Sequence, residues 1–395
     1  MAGSVILGGA RTPIGKMSGA FASMAATDLG GAAIAGALAK AGVSPDQVDY
    51  VYMGQVIQAG AGQITARQAA VNAGIPMNVP ASTVNKVCLS GLNTIYLADQ
   101  MIQAGDADIV VAGGMESMTN APYVMPDARA GMRMGDKKVI DSMMHDALFC
   151  AFDEVAMGLG TERYAAACSM ERGPQDELSA QSHQRAAAAI EAGKFADEIV
   201  PVEVPQRRGD PVVVDTDEGV RGETTAESLG KLRPAFDKEG NVTAGNASQI
   251  SDGGSAVVVC SAEKAAELGL TPLGEIVGYG QVAGPDSASL LTQPAAAIQQ
   301  ALEKAGLSTT DVDLWELNEA FAAVGLASMD QLGIDDSNVN VNGGAIALGH
   351  PVGVSGNRLA LTIMHELKRR GGGLGAAGLC GGGGQGDAIL LRVAG

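Results

Sequence analysis

The sequence predicts a duplicated α/β protein with a separate segment inserted into its first half. Three observations carry this. Residues 37–50, ALAKAGVSPDQVDY, and residues 301–314, ALEKAGLSTTDVDL, share eight of fourteen positions at an offset of 264. A second correspondence follows at offset 265, where Ser90-Gly91 and Ser355-Gly356 each lead an Ala/Leu-rich helical stretch into an apolar strand. Finally, residues 119–245 match neither half and hold most of the local basic clusters. Self-similarity over such distances is the mark of a repeated structural unit.

In each copy the order is strand, helix, strand, helix, strand. The first repeated helix ends at Gly42 in one half and Gly306 in the other, where a left-handed residue closes a helix without Cβ strain. A polar turn leads into Val51-Tyr52-Met53 or Leu314-Trp315-Glu316-Leu317. The second helix runs from Ser90 to Gln103, or from Ser355 to Arg370, and glycine follows both. Ile109 to Gly113 and Leu374 to Gly378 are the strands that come next. Continuous apolar strands between Ala-rich helices predict mostly parallel sheets covered on both faces. The insert carries helical runs at Val155–Ala167 and Gln175–Ala192, and the chain rejoins the first sheet near Ser255-Ala256-Val257-Val258-Val259. The boundaries are then 1–118 plus 246–271 for the first half, 119–245 for the insert and 272–395 for the second half.

Composition narrows the function. With 26 basic against 44 acidic side chains, the 395-residue chain carries a net charge of −18. A nucleic-acid surface needs a basic face, and so does an anionic membrane surface. No apolar run reaches the roughly 18 residues of a membrane span. The first basic residue, Arg11, follows the apolar Val5-Ile6-Leu7, the reverse of a secretory leader. Glycine, 55 of 395, is about twice the usual roughly 7%, while aromatics are 3%, so the core is built from small aliphatic side chains. Five cysteines, an odd number with no CxxC, favour neither a disulfide framework nor a structural zinc. Free thiols suit a reducing cytosol. The clusters Arg129, Arg133, Lys137-Lys138, Arg207-Arg208, Arg221, Lys231 and Arg233 read as solvated surface.

Four residues look like chemistry. Cys88 falls where Ser82–Val84 gives way to a helix, so its thiol meets the positive end of the helix dipole, which favours thiolate. The unpaired N–H groups there could also hold an oxyanion. His350 sits in a loop shaped by Gly343-Gly344, Gly349 and Pro351, whereas His145, His183 and His365 lie in polar helical settings and read as surface. Cys380 precedes four glycines at a strand end, where backbone can approach a ligand closely. No helix pattern follows, which excludes a dinucleotide loop. Asn318, alone, reads as a helix N-cap before Glu319-Ala320-Phe321. A free cysteine is ordinarily a small buried hydrophobe, and a structural role is the lesser reading for the loop histidine. All four, however, fall at strand C-terminal ends of the repeats, the edge where sites in open α/β sheets assemble.

These segments, together with Ala10-Arg11-Thr12-Pro13-Ile14-Gly15, Gly245-Asn246-Ala247-Ser248, Asn318-Glu319-Ala320-Phe321, Asn342 through Pro351 and Cys380 through Gly386, resemble the thiolases, acyl-CoA acetyltransferases, over essentially the whole chain. The resemblance implies a thiolase-like fold: duplicated α/β halves in five-layered α-β-α-β-α packing with an inserted loop domain for coenzyme A and oligomer contacts. It implies reversible Claisen condensation of two acetyl-CoA to acetoacetyl-CoA, or thiolysis of a 3-ketoacyl-CoA, through an acyl-cysteine. Cys88 would carry the acyl group, His350 would activate it and Cys380 would move the α-proton. Asn318 would fix a water that, with His350, stabilises the enolate. The backbone N–H groups of Cys88 and Gly382 would bind the oxyanion.

Arg221 would meet the nucleotide end of coenzyme A, with Ser228 and Ser248 along the pantetheine and Leu148, Met157, Phe236, Ala244 and Phe321 lining its path. No metal or redox cofactor is implied; coenzyme A and acyl-CoA enter as substrates, and the assembly would be a homodimer or homotetramer. Leu89 departs from the small residue usual in the family, and Ala156 and Leu291-Thr292-Gln293-Pro294 depart from the short-chain biosynthetic pattern; all three would reshape the acyl pocket. The alternatives are a degradative enzyme for longer or branched chains and a thiolase-like acyl-CoA carrier without catalysis. Ketosynthases use one Cys with two His, or His and Asn, and Cys380 with its glycine run argues against them.

Overall fold

The computed structural model describes residues 3–286 and 288–395. The first half comprises β1 (Ser4–Arg11), α1 (Ala26–Ala41), β2 (Tyr50–Gly54), α2 (Thr65–Asn72), β3 (Ala81–Val84), α3 (Ser90–Ala104) and β4 (Ile109–Ser117). After an excursion containing α4 (Met157–Ala167) and α5 (Arg172–Glu191), the chain returns as β5 (Ser251–Ser261). The second half holds β6 (Gly274–Ala283), α6 (Gln293–Ala305), β7 (Leu314–Leu317), α7 (Ala322–Leu332), α8 (Ser355–Arg369), β8 (Gly373–Gly381) and β9 (Gln385–Val393). Both anticipated helix-closing glycines are left-handed, Gly42 at φ 67° and Gly306 at φ 68°.

The strands run in the order β7-β8-β9-β6-β1-β5-β4-β2-β3. The order β1-β5-β4-β2 of the first half recurs as β6-β9-β8-β7 in the second, β3 being an additional edge strand, and the two halves meet where β1 pairs with β6 through Val5↔Glu275 and Ile6↔Gly274. The expected mostly parallel pairing is not found. Only β7–β8, β2–β4 and β2–β3 are parallel, and the five pairings between them are antiparallel. Helices cover both faces of these strands too, so they read as continuous apolar runs whatever their direction.

Alternate residues of each strand enter different layers. Val111 and Val258 pack under α1 with Ile34 and Leu38. Val110 and Val257 face the opposite way, toward Leu92 and Ile95 of α3 and Leu359 and Ile363 of α8. Beyond the second half's strands, Ile298 and Leu302 of α6 and Leu332 of α7 cover Trp315 and Leu390. The result is helix, sheet, helix, sheet, helix, the five layers expected. Within the middle layer α3 and α8 touch at their N-termini. A Cβ on Gly91 would lie 2.8 Å from the Gly353 carbonyl, and one on Gly356 would lie 2.6 Å from the Leu92 nitrogen. These two glycines are counterparts in the repeat, and only they allow so close a crossing.

The inserted segment is tied to the sheet by Arg11. Its guanidinium reaches Asp217 at 2.7 and 2.9 Å and Glu198 at 2.7 Å, all three being buried. Arg11→Met would leave two carboxylates buried without their cation, and removing one partner of a buried pair costs ~3–5 kcal/mol. A clearly lower urea midpoint by circular dichroism is the expected outcome; an unchanged midpoint would mean that the insert is held elsewhere.

The basic clusters named above are exposed, as expected, and the cysteines are free. His183 and His365 are buried instead of exposed. Their helices, polar in sequence, are covered from more than one side, and the His183 Nδ1 accepts the Arg221 backbone N–H at 3.2 Å. Among the described residues no helix is long and apolar enough to cross a membrane.

Candidate active site

Cys88 stands two residues before α3, in a turn of unusual backbone. Val87 is left-handed at φ 50°, which for a β-branched residue stores about 1–3 kcal/mol and persists only where neighbours over-determine it. Those neighbours are local. The Val87 N–H donates to the Asn85 side chain at 3.0 Å. Ser90 Oγ accepts the Lys86 N–H at 2.8 Å and donates to the Val87 carbonyl at 2.6 Å. The turn aims the Cys88 thiol into a cavity of about 540 Å³.

That thiol does not have the lowered pKa its helix-end position predicts. Burial pushes it up, to about 12, and the backbone N–H groups of Cys88 and Gly382, both directed at the sulfur, offset this only in part. Glu116, buried nearby, adds to the rise. Its carboxylate accepts the N–H groups of Val56 (2.9 Å), Ile57 (3.1 Å) and Gly353 (3.0 Å), and so fixes two loops beside the thiol. Nothing local in the sequence singles out Glu116; its three partners lie about 60 and 237 residues away.

His350 lines the same cavity. Burial and Arg358 lower its pKa to about 4, so the imidazole is neutral at physiological pH. Nδ1 lies 2.5 Å from Ser355 Oγ, which donates onward to the Pro351 carbonyl at 3.2 Å. Asn318 Nδ2 lies 3.5 Å from Nε2. With the serine proton directed at Pro351, the ring proton belongs on Nδ1. Nε2 then presents its lone pair, the form that accepts a proton from a thiol. Asn318 is not the N-cap its position suggests, because α7 begins four residues later with Phe321 as its cap. It is fully buried, and its Oδ1 has no partner. Ser355 is a further residue that local sequence could not assign, since its part depends on the fold of the His350 loop.

Cys380 closes the constellation on β8. Its thiol is buried, and burial first, then the neighbouring Cys88, hold its pKa well above the usual range. Cys88, His350, Cys380 and Gly382 all line the cavity, while Asn318, 3.5 Å from His350 Nε2, is not part of the lining. Leu148, Met157, Phe236, Ala244, Ser248 and Phe321 line it as well. Phe236 and Phe321 meet edge to face at 6.4 Å. Arg221 and Ser228 lie outside the lining, both exposed. Ser228 caps a short helix reciprocally with Thr225, at 3.1 Å in each direction. Ala156, one of the departures noted in the sequence, faces the cavity, and so do Lys16, Gln249, Leu290 and Val352.

Residues 4–263 match the family profile described as "Thiolase, N-terminal domain" and residues 270–393 that described as "Thiolase, C-terminal domain". The chain belongs to the thiolase family. A "Probable acetyl-CoA acetyltransferase" of Mycolicibacterium smegmatis is 55% identical to it over 388 residues, 98% of this chain and 100% of the relative. The "Acetyl-CoA acetyltransferase" of Cupriavidus necator is 52% identical over 388 residues, 98% of each. Among solved structures, the Bacillus anthracis acetyl-CoA acetyltransferase superposes with a TM-score of 0.97 at 41% identity, covering 100% of this chain and 99% of that one.

In this thiolase the cavity lining is largely apolar and includes two thiols and a neutral imidazole. Such an arrangement suits acyl transfer, where a buried thiol gives up its proton only when a substrate is in place. Alkylation of Cys88 by iodoacetamide, which needs the thiolate, should therefore quicken about tenfold per pH unit between roughly pH 6 and 10 with no plateau. A plateau near neutrality would show a standing thiolate–imidazolium pair and contradict the raised pKa.

Proposed function

We propose that this thiolase is an acetyl-CoA C-acetyltransferase that condenses two acetyl-CoA to acetoacetyl-CoA and coenzyme A, and cleaves acetoacetyl-CoA in reverse. The observation that carries the reading is that two thiols, Cys88 and Cys380, line one cavity together with neutral His350. In the first step Cys88 passes its proton to His350 Nε2 and its sulfur attacks the thioester carbonyl. The N–H groups of Cys88 and Gly382 hold the oxyanion. The C–S bond to coenzyme A breaks, and the leaving thiolate takes the Cys380 proton. The chain then carries acetyl-Cys88, imidazolium and the Cys380 thiolate.

In the second step Cys380 removes the α-proton of another acetyl-CoA. The enolate oxygen is held by His350 and by a water on Asn318, whose unpartnered buried Oδ1 supports that role. The enolate carbon attacks acetyl-Cys88, and the departing Cys88 sulfur recovers its proton from His350. A thiol of raised pKa is a strong base once its proton is gone, which suits Cys380 to a weakly acidic carbon.

We further assign residues 119–245 to coenzyme A, because they supply Met144, Leu148, Met157, Phe236 and Ala244 to the cavity. Arg221 is assigned to the nucleotide end from family matching. Within 119–145 the exposed Tyr123, Met125, Met132, Met134 and Val139 support a contact between copies, giving a homodimer or homotetramer; a monomeric mass by light scattering would refute it. Five free thiols support a cytoplasmic setting. The deciding experiment follows free thiol with acetyl-CoA, and with coenzyme A plus 3-ketoacyl-CoA of increasing length. Thiol release from acetyl-CoA and fastest thiol consumption with the four-carbon substrate support the reading. Activity confined to long chains would favour a degradative enzyme, and silence throughout a carrier.

A further inference from the structure

The two N–H groups directed at the Cys88 sulfur belong to different halves of the chain. One is at the head of α3, the other in the turn after β8. Their separation depends on how those segments are held together. One contact is apolar: Leu89 fills the space beside Gly381, where a Cβ would lie 2.5 Å from the leucine Cγ. The other is ionic. Lys86 Nζ reaches both carboxylate oxygens of Asp387, at 2.7 and 2.9 Å. Lys86 is two residues from Cys88. Asp387 pairs across the β8–β9 hairpin with Leu379, and its neighbour Gly386 pairs with Cys380. The carboxylate is 3% exposed and the lysine 23%. Among the described residues this is the one ion pair that joins residues 3–118 to residues 272–395.

We propose that Lys86 and Asp387 are positioning residues, whose ion pair fixes the distance between the Cys88 and Gly382 N–H groups and so shapes the oxyanion pocket. The proposal rests on the acetyl-transfer reading above. Neither residue lines the cavity, and Lys86 is not among the groups that shift the Cys88 thiol. The pair therefore acts on where the donors stand. It is not a source of charge for the thiol. A donor displaced by about 1 Å can cost on the order of 10²-fold in rate.

The test compares the parent with Lys86→Met, Asp387→Asn, the double variant and Lys86→Arg. Steady-state thiolysis gives kcat and KM, intact mass gives the rate of Cys88 acetylation by acetyl-CoA, and iodoacetamide gives the rate of Cys88 alkylation. Alkylation needs the thiolate and no oxyanion pocket. Expected are a fall of roughly 10- to 100-fold in kcat and in acetylation with KM within about threefold, and a much smaller fall in alkylation, because the Gly382 N–H offsets the raised pKa of the thiol only in part. The double variant should be no slower than either single one, since one interaction is removed in all three. Lys86→Arg, which can still bind the carboxylate, should recover most of the rate. Should Lys86→Met not fold, Asp387→Asn carries the same comparison. Parent-like kcat in the variants overturns the proposal. So does alkylation that slows in step with acetylation, because the pair would then act through ionisation. A parent that is never acetylated brings down the acetyl-transfer reading, and this inference with it.

Discussion

With serine in place of Cys88, the protein will take up no acetyl group from acetyl-CoA. The parent should gain one acetyl adduct by intact mass within seconds to minutes of mixing. The reasoning starts from ionisation. The thiol is already held up to about 12 by burial, and a hydroxyl in the same place is far weaker still as an acid. A neutral imidazole can accept a thiol proton as the sulfur attacks, but it cannot make an alkoxide at comparable cost. The oxyanion donors remain, so substrate binding should survive while transfer falls by roughly 10⁴-fold or more, as expected when a nucleophile that works with its base as a unit is removed. An undiminished adduct on Cys88→Ser would remove this residue as the nucleophile.

Cys380→Ala should separate the two thiols. Its acetylation at Cys88 should persist, because attack on the thioester takes no proton from the α-carbon. Condensation should collapse, and so should exchange of acetyl-CoA methyl protons with deuterated solvent, by the roughly 10²–10⁴-fold that a general base contributes. Some loss of acetylation rate is also expected if the leaving coenzyme A draws its proton from Cys380, but far less than the loss of exchange. His350→Ala should damage both readouts, because in the proposed mechanism its Nε2 serves the thiol and the enolate alike. The measurement is deuterium incorporation and acetyl labelling on the same preparations. Parent-rate exchange in Cys380→Ala would place the base elsewhere.

Much of this arrangement was legible from the chain, and what was legible was local or repeated. The duplication could be read because the same helix, closing glycine and turn recur at one offset; Cys88 and Cys380 sit where strands end, while His350, expected at a strand end too, lies in a glycine-rich loop between the helical turn Ala345–Leu348 and α8. Strand direction could not be read, since antiparallel β5 and β9 are as thoroughly covered as parallel β2. Charge state misled for the same reason: position at a helix start suggests thiolate, and the burial that outweighs it comes from residues distant in sequence. Glu116, Ser355 and the Lys86–Asp387 pair are ordinary residues until the fold joins segments up to 301 positions apart. His183 and His365 show the converse, polar helices whose surroundings bury them.

The crossing of α3 and α8 has a consequence for how such a chain can change. Gly91 and Gly356 occupy equivalent places in the two copies, and each is pressed against the other helix's opening turn. A methyl group at either would meet backbone at the start of the other helix and drive the two helix starts apart. No smaller side chain on the facing copy can make room, because a Cβ on Gly91 meets the Gly353 and Val354 carbonyls and the Asn357 nitrogen, and one on Gly356 meets the Leu92 backbone. At these two equivalent places the least bulky residue type is held against backbone, so that replacing either one asks a whole helix to move.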